Sequence, residues 1–235
     1  MREAIQTEKY KGLTIEIHQD EDPESPREWG NPSNMVCFHK RYNLGDKQEG
    51  VLESAQRNSS GPAERLREHL NDYAEEEGWD LKGMPERDGW GLIEFFLRVA
   101  RGAEVILPLY LFDHSGITMN TTGFSCPWDS GQVGFIYMTK DAILKNYAVK
   151  DISDELRCKV AEQLKAEVAS YDQYLTGDVY GYVIKDENGE DLDNCLHDSC
   201  WGFFGLECCR ESAREAAADI AIELDDKATT VTLHI

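Results

Sequence analysis

The sequence predicts an α+β fold: one mixed, mostly antiparallel sheet with helices packed on one face. Strand-like and helix-like segments are interleaved irregularly along the chain, and an Asn188-Gly189 dipeptide favours an antiparallel hairpin. The 235 residues, 41% of them hydrophobic, are enough to bury a globular core. We therefore expect a single domain over 1–235, in which 1–101 could form an N-terminal subdomain and 102–235 the core.

Six segments are predicted to form strands. LTIEIHQ (13–19) alternates apolar and polar residues, and MVCFHKRY (35–42) could pair with it as a hairpin across the acidic, proline-containing loop at 20–34. AEVILPLYLFD (103–113) is a nearly continuous apolar run, which is typical of the centre of a sheet, although Pro108 cannot donate to a ladder. The remaining predicted strands are QVGFIYMTK (132–140), DVYGYVIK (178–185) and TTVTLHI (229–235).

Helices are predicted where apolar residues recur on one face. The first has Ser60 as its cap and Pro62 in its first turn, and it ends at Gly78. A short apolar helix ends at Gly102, and the clearest helix of the chain ends at Gly177. Two more are predicted, DAILKNYA (141–148) and SAREAAADIAIELDD (212–226), the latter with Ala213, Ala217, Ile220 and Leu224 directed inward.

Charge is the strongest compositional signal. The chain has 45 acidic and 24 basic residues, a formal net charge of -21. Such a field disfavours direct binding to nucleic acid or anionic lipid, and it favours a basic partner or simply gives solubility. A negative surface can also imitate the phosphate charge of DNA. The acidic residues that we expect to form binding patches are Asp20, Glu21, Asp22, Glu75, Glu76, Glu77, Asp186, Glu187, Glu190 and Asp191.

The seven cysteines point to a reducing compartment. We find no signal peptide and no apolar run of the roughly 20 residues that span a bilayer, so we expect a cytoplasmic protein with reduced thiols. In that compartment cysteines are core residues, metal ligands or catalytic thiols.

The stretch FDHSGITMNTTGFSCPWDSGQVGFIY (112–137) concentrates reactive side chains. Asp113 and His114 could orient a base for Ser115 or Cys126 as nucleophile, but no Gly-x-Ser-x-Gly elbow is present. In the alternative, Asp-His-Ser-Gly and Trp-Asp-Ser-Gly are turns whose polar side chains bind the backbone, with Phe124 and Trp128 packed over the core.

Metal binding is weakly indicated. Cys195, His197, Cys200, Cys208 and Cys209 have the chemistry of zinc ligands, but their spacing matches no zinc motif. The acidic segment 186–193 lacks the ligand order of a calcium loop and favours a solvated hairpin tip. We therefore expect no metal and no cofactor.

Two further sites stay open as alternatives. A cysteine hydrolase would draw its nucleophile, base and orienting carboxylate from Cys126, Cys200, His114, His197, Asp113, Asp129 and Asp198, and it requires the 113–131 and 195–201 segments to meet. A small-molecule pocket would be lined by Trp128, Tyr174, Tyr180 and Trp201.

Three phrases, DHSGITMNTTGFSCPWDSGQVGFIY, YDQYLTGDVYGYVI and DSCWGFFG, resemble an uncharacterised family encoded by bacteriophages, prophages and plasmids. The resemblance covers roughly 104–205 and implies an accessory protein of a mobile element, without any catalytic assignment. Such accessory proteins are often inhibitors of host defence. The leading hypothesis is a non-enzymatic acidic protein that covers the nucleic-acid-binding surface of a host protein, with Trp128 and Trp201 among its binding residues.

Overall fold

The computed structural model describes residues 3–57, 61–78, 81–192 and 198–232. Ser60, the predicted helix cap, lies outside these ranges, as do Cys195 and His197. In chain order the elements are β1 (Gln6–Tyr10), β2 (Leu13–Gln19), a short 3-10 helix (Pro26–Glu28), β3 (Asn34–Cys37), α1 (Val51–Arg57), α2 (Pro62–Glu77), α3 (Trp90–Arg101), β4 (Ala103–Asp113), β5 (Ile117–Asn120), β6 (Ser130–Thr139), α4 (Lys140–Asn146), α5 (Asp154–Thr176), β7 (Val179–Lys185), β8 (Ser199–Phe204) and α6 (Leu206–Thr232).

The chain divides by its internal contacts into two compact units. The first combines Met1–Ser25 with Gln173–Ile235, and the second is Pro26–Asp172. The expectation of a single domain, with a subdomain boundary after residue 101, stays a prediction. Each unit has its own four-stranded antiparallel sheet, so the α+β class is confirmed, while the strands form two sheets and not the single one expected.

The sheet of the first unit has the strand order β1-β2-β7-β8. Lys11 and Gly12 both have positive φ, 49° and 78°, which is the backbone of a two-residue hairpin turn between β1 and β2. The strand β2 then pairs with β7, which follows it by about 160 residues, so two segments far apart in the sequence meet in one ladder.

The helix α6 packs on one face of this sheet. Leu13, Ile15 and Ile17 alternate along β2 and are buried against small residues of the helix, because a helix lined with alanine can approach a sheet closely. The buried helix residues are Cys209, Ala213, Ala217 and Ile220. Leu224, predicted to point inward, is 37% exposed because the buried cluster ends at Ile220.

The sheet of the second unit has the order β3-β6-β4-β5, with β4 between two partners, as its apolar run predicted. One face carries Val36, Phe135 and Tyr137, which pack against α1, α2 and α3. At each edge strand of the sheet, a carboxylate of the same unit accepts a backbone hydrogen bond. The carboxylate of Asp172 accepts a hydrogen bond from the backbone of Met119 on β5, and that of Asp46 accepts one from Met35 on β3.

One pairing prediction and one strand prediction are wrong. The strands β2 and β3 do not form a hairpin, because β2 pairs with β1 and β7 whereas β3 pairs with β6 in the other sheet. The strand predicted at 229–235 is helical up to Thr232, where α6 continues through the β-branched residues. The helix ends predicted at Gly78 and Gly102 are confirmed, and both glycines have left-handed φ, 70° and 66°.

Candidate functional site

The Asp-His-Ser-Gly phrase forms the turn between β4 and β5. The backbone N–H of Asp113 donates to Asp129 O at 2.8 Å, and that of His114 donates to Gly116 O at 3.0 Å. Ser115 occupies the left-handed region with φ of 57°, which a tight turn requires. The structure therefore places this phrase in a turn, and the hydrogen bond to Asp129 joins it to the second phrase, Trp-Asp-Ser-Gly.

Two of the candidate residues, His114 and Cys126, contact the same carboxylate oxygen of a third, Asp129. Oδ2 of Asp129 lies 3.4 Å from Nδ1 of His114, and Sγ of Cys126 donates to the same oxygen at 3.6 Å. In a hydrolase triad the imidazole lies between the nucleophile and the carboxylate. Here the carboxylate lies between the thiol and the imidazole, so Asp129 holds both groups without letting His114 activate Cys126 through that contact.

Asp113, the last residue of β4, has different partners. Its carboxylate accepts hydrogen bonds from Oη of Tyr42 at 3.2 Å and from the guanidinium of Arg41. Asp113 therefore pairs with Arg41 and not with His114, which removes it as the orienting carboxylate of that imidazole. Sequence reasoning missed Arg41 and Tyr42, because a contact across more than 70 residues leaves no local pattern.

The imidazole of His39 completes this neighbouring cluster. Its ring stacks on that of Tyr42 at 5.0 Å, and its Nδ1 accepts backbone N–H bonds from Arg41 and Tyr42. Burial lowers the pKa of His39, an effect that the charge of Asp113 opposes only in part. A neutral ring that accepts two backbone bonds fits a structural role, in which His39 shapes the segment that presents Arg41.

Trp128 does not pack over the core, contrary to the expectation. Its side chain is 92% exposed, and Phe124 instead contacts Phe112 with ring centroids 5.7 Å apart. The 113–131 loop thus presents a large exposed aromatic side chain, which directly precedes Asp129 in the chain.

The described part of the cysteine-containing segment 195–209 begins at Asp198 and belongs to the first unit. Trp201 on β8 is half exposed and covers Gly181, where an added Cβ would lie 2.2 Å from the indole. Cys200 and Cys208 are exposed, whereas Cys209 is a core residue, and burial raises the pKa of its thiol to about 12. Among the described residues no group of three or more His, Cys, Asp or Glu side chains could hold a metal ion.

Two hypotheses stay predictions: the hydrolase that combines the 113–131 and 195–201 segments, and the small-molecule pocket. The 113–131 loop belongs to the second unit, whereas the described part of 195–201 belongs to the first, and His197 lies outside the described residues. The pocket likewise draws Trp128 from one unit and its other three proposed residues, Tyr174, Tyr180 and Trp201, from the other.

The expected acidic patches are separate features. The patch 20–22 follows β2, and 186–191 follows β7; these strands are antiparallel, so the two patches lie at opposite ends of their ladder. Asp186 is a turn residue whose Oδ1 accepts N–H bonds from Asn188 and Glu190, both at 2.8 Å. Glu75 and Glu76 are exposed at the end of α2 in the second unit, and the side chain of Glu77 is not described.

A row of carboxylates along α6, which sequence reasoning missed, is more regular. Its members recur every fourth residue, rise about 6 Å per step and are all exposed. Among the described side chains, Glu207 is the one member that pairs with a basic residue, Arg210, while Arg214 pairs with Glu8 on β1. The i, i+4 recurrence was the available signal. We call this set the α6 row: Glu207, Glu211, Glu215, Asp219 and Glu223.

The net charge is concentrated in the unit that contains the α6 row. The first unit has 21 acidic and 7 basic residues, a formal net charge of -14, and the second has 24 and 17, a charge of -7. The smaller unit thus carries two thirds of the total charge. A field of this strength makes close approach of a basic surface favourable.

Comparison with known proteins places the chain in no family. No protein-family model, no curated protein and no solved structure matches it. Within the described ranges, none of the helices is long and apolar enough to cross a membrane.

Proposed function

We propose that the protein is a non-enzymatic acidic binding protein, which covers the basic, nucleic-acid-binding surface of a partner protein. The observation that supports this most directly is the α6 row. Glu211, Glu215, Asp219 and Glu223 are exposed, and they have no hydrogen-bond or ion-pair partner among the side chains that the structure describes. An exposed row of carboxylates along one helix provides a line of negative charge for a basic partner.

The geometry of the row fits a surface that binds phosphates. From Glu207 to Glu223 the row extends for about 24 Å along α6, with one charge about every 6 Å. One strand of duplex DNA carries a charge every 3.4 Å or so along its axis. The row is therefore a sparser line of the same sign, which the remaining acidic residues of the first unit reinforce.

The resemblance to proteins of phages, prophages and plasmids supplies the proposed setting. In a bacterial cytoplasm, the partner would be a host defence or nucleic-acid-handling protein, and the protein would inhibit it by occupying its nucleic-acid site. The same charge argues against direct nucleic-acid binding by this protein, because phosphates would be repelled.

Neutralisation of the α6 row tests the proposal. The test variant changes four residues of the row to amides: Glu211→Gln, Glu215→Gln, Asp219→Asn and Glu223→Gln. The control variant removes the same charge from exposed acidic residues of the second unit that lie outside the expected patches: Glu28→Gln, Glu49→Gln, Glu86→Gln and Asp151→Asn. Immobilised wild type and both variants are incubated with bacterial lysate, and the retained proteins are identified at low and high salt.

We expect wild type and the control variant to retain nucleic-acid-binding proteins, which the α6 variant loses. Retention should fall steeply with salt, because exposed charge pairs are screened. Added duplex DNA should compete for the same proteins. Equal retention by the α6 variant, or retention that salt and DNA leave unchanged, would contradict the proposal.

A further inference from the structure

The exposed Trp128 is anomalous for a side chain of its size. A tryptophan that becomes buried removes some 150–250 Å² from water, yet 92% of this one is exposed. Exposed tryptophan is also the residue most enriched among the side chains that dominate binding energy at interfaces. The loop that carries it is therefore a candidate contact surface in its own right.

The loop holds Trp128 in a defined place. Two hydrogen bonds hold the loop on either side of Trp128. Oγ of Ser130 donates to Cys126 O at 2.5 Å, and Asp113 N donates to Asp129 O at 2.8 Å. Pro127 restricts the backbone immediately before the indole. Because these ties exist before any partner arrives, the entropy cost of ordering the loop on binding is small.

The negative charge of Asp129, the next residue, indicates which kind of chemical group Trp128 would contact. Within the described part of the chain, the carboxylate of Asp129 contacts the thiol of Cys126 and the imidazole of His114, and it forms no ion pair with a Lys or Arg. The nearby Arg41 is paired with Asp113. An exposed indole and a carboxylate on consecutive residues suit a guanidinium, which stacks on aromatic rings and forms paired hydrogen bonds with carboxylates.

We propose that Trp128 and Asp129 form an arginine-binding anchor, which receives an arginine side chain from the surface of a basic partner protein. The inference rests on the proposed function for the class of partner, and it adds a second contact point with a specific chemistry. Lysine satisfies it less well, because an ammonium group lacks the planar fork and stacks less readily than a guanidinium.

Short basic peptides of equal charge test the anchor. Nona-arginine and nona-lysine are titrated against wild type and against Trp128→Ala, Trp128→Phe, Asp129→Asn and Trp29→Ala, at low salt, by isothermal titration calorimetry. Trp29, which is 52% exposed and lies in the same unit, is the matched control. Thermal unfolding of each variant verifies that the fold is intact. We expect the Trp128 variants to unfold like wild type, because the side chain they change is almost fully exposed.

We expect Trp128→Ala to weaken nona-arginine binding by about 3- to 30-fold, the range of a stacked cation. Asp129→Asn should weaken it too, Trp128→Phe should keep part of the affinity, and nona-lysine should be less affected. Trp29→Ala should leave both titrations within about twofold, because Trp29 lies outside the proposed anchor and is less exposed than Trp128.

The remaining outcomes separate this inference from the proposed function. Unchanged nona-arginine binding by Trp128→Ala, or an equal loss for both peptides, overturns the arginine anchor while acidic binding stands. If neither peptide binds wild type at low salt, the proposed function is contradicted, and the anchor with it.

Discussion

Arg27 and Asp46 form a two-pronged ion pair inside the second unit: Nε lies 2.7 Å from Oδ1, and Nη2 lies 3.0 Å from Oδ2. The remaining nitrogen, Nη1, donates to the carboxylate of Glu167 on α5 at 2.9 Å. The Arg27 side chain is only 4% exposed. Burial by itself lowers the pKa of Arg27, but the hydrogen bonds and charges of Asp46 and Glu167 outweigh it and raise that pKa.

Replacement of Arg27 by methionine should destabilise the protein by about 3–5 kcal/mol, because it leaves two carboxylates together without their cation. Urea unfolding measures the loss. Arg57→Ala is the control: Arg57 pairs with Glu53 on the surface of α1, and removing an exposed pair costs about 1 kcal/mol or less. Equal effects of the two substitutions would show that the Arg27 pair contributes no more than a surface pair.

Gly134→Ala should disrupt the pairing of β3 with β6. A Cβ at this position would lie 1.9 Å from the carbonyl oxygen of Val36, which is backbone and cannot move aside without breaking the ladder. Overpacking of this kind costs about 1–3 kcal/mol or more. Gly131→Ala, on the same strand with nothing within 4 Å of the new Cβ, is the matched control and should unfold like wild type. A Gly134→Ala protein as stable as this control would be inconsistent with the register.

The buried thiols should make stability fall at alkaline pH. Burial raises the pKa of Cys37, and also that of Cys209, from the ordinary 9.0 to about 12. Because the native state holds these protons more tightly, the stabilisation is complete below pH 9 and is lost as pH rises towards 12. Each thiol should contribute a loss of about 1.4 kcal/mol per pH unit above 9.

Unfolding free energies measured from pH 8 to 11 test this. The stability gap between wild type and Cys209→Ala should narrow as pH rises, since the variant lacks the titrating group. Cys158→Ala, which removes an exposed thiol, should run parallel to wild type. Parallel curves for Cys209→Ala as well would contradict the role assigned to the buried thiol.

Asp186→Asn should loosen the hairpin that follows β7. The carboxylate accepts N–H bonds from Glu190 and Asn188, and the bond from Glu190 is the largest cause that lowers the pKa of Asp186. A lowered pKa means that this support is present above the ordinary carboxyl range and is lost as pH falls through the native value.

Hydrogen exchange of the amides of Asn188 and Glu190 measures this change. Exchange should quicken in Asp186→Asn and, in wild type, at acidic pH after correction for the intrinsic rate. Glu187→Gln, at the same exposed turn, should leave both amides unaffected. Unchanged protection in Asp186→Asn would mean that the turn residues Asn188 and Gly189 hold the hairpin without the carboxylate.

Local patterns in the sequence were sufficient for the elements whose signals lie within them. The apolar run that predicted the central strand corresponds to β4, and the glycines that predicted helix ends have left-handed backbones at Gly78 and Gly102. The strands β1, β5 and β8 were missed, because short strands with charged or glycine-rich sequences have no clear alternation. The helix through 229–232 was misread because β-branched residues favour strands only when a ladder is available.

For the candidate site, the sequence by itself determined which reactive side chains share a loop and how strongly acidic the protein is, because both follow from composition and adjacency. Only the tertiary structure decided that Asp129 lies between Cys126 and His114, that Trp128 projects from the loop, and that Asp113 pairs with Arg41. It also decided which carboxylates of α6 have no partner among the described side chains. These outcomes depend on where distant parts of the chain bring their donors, cations and apolar surfaces, and no local pattern encodes that.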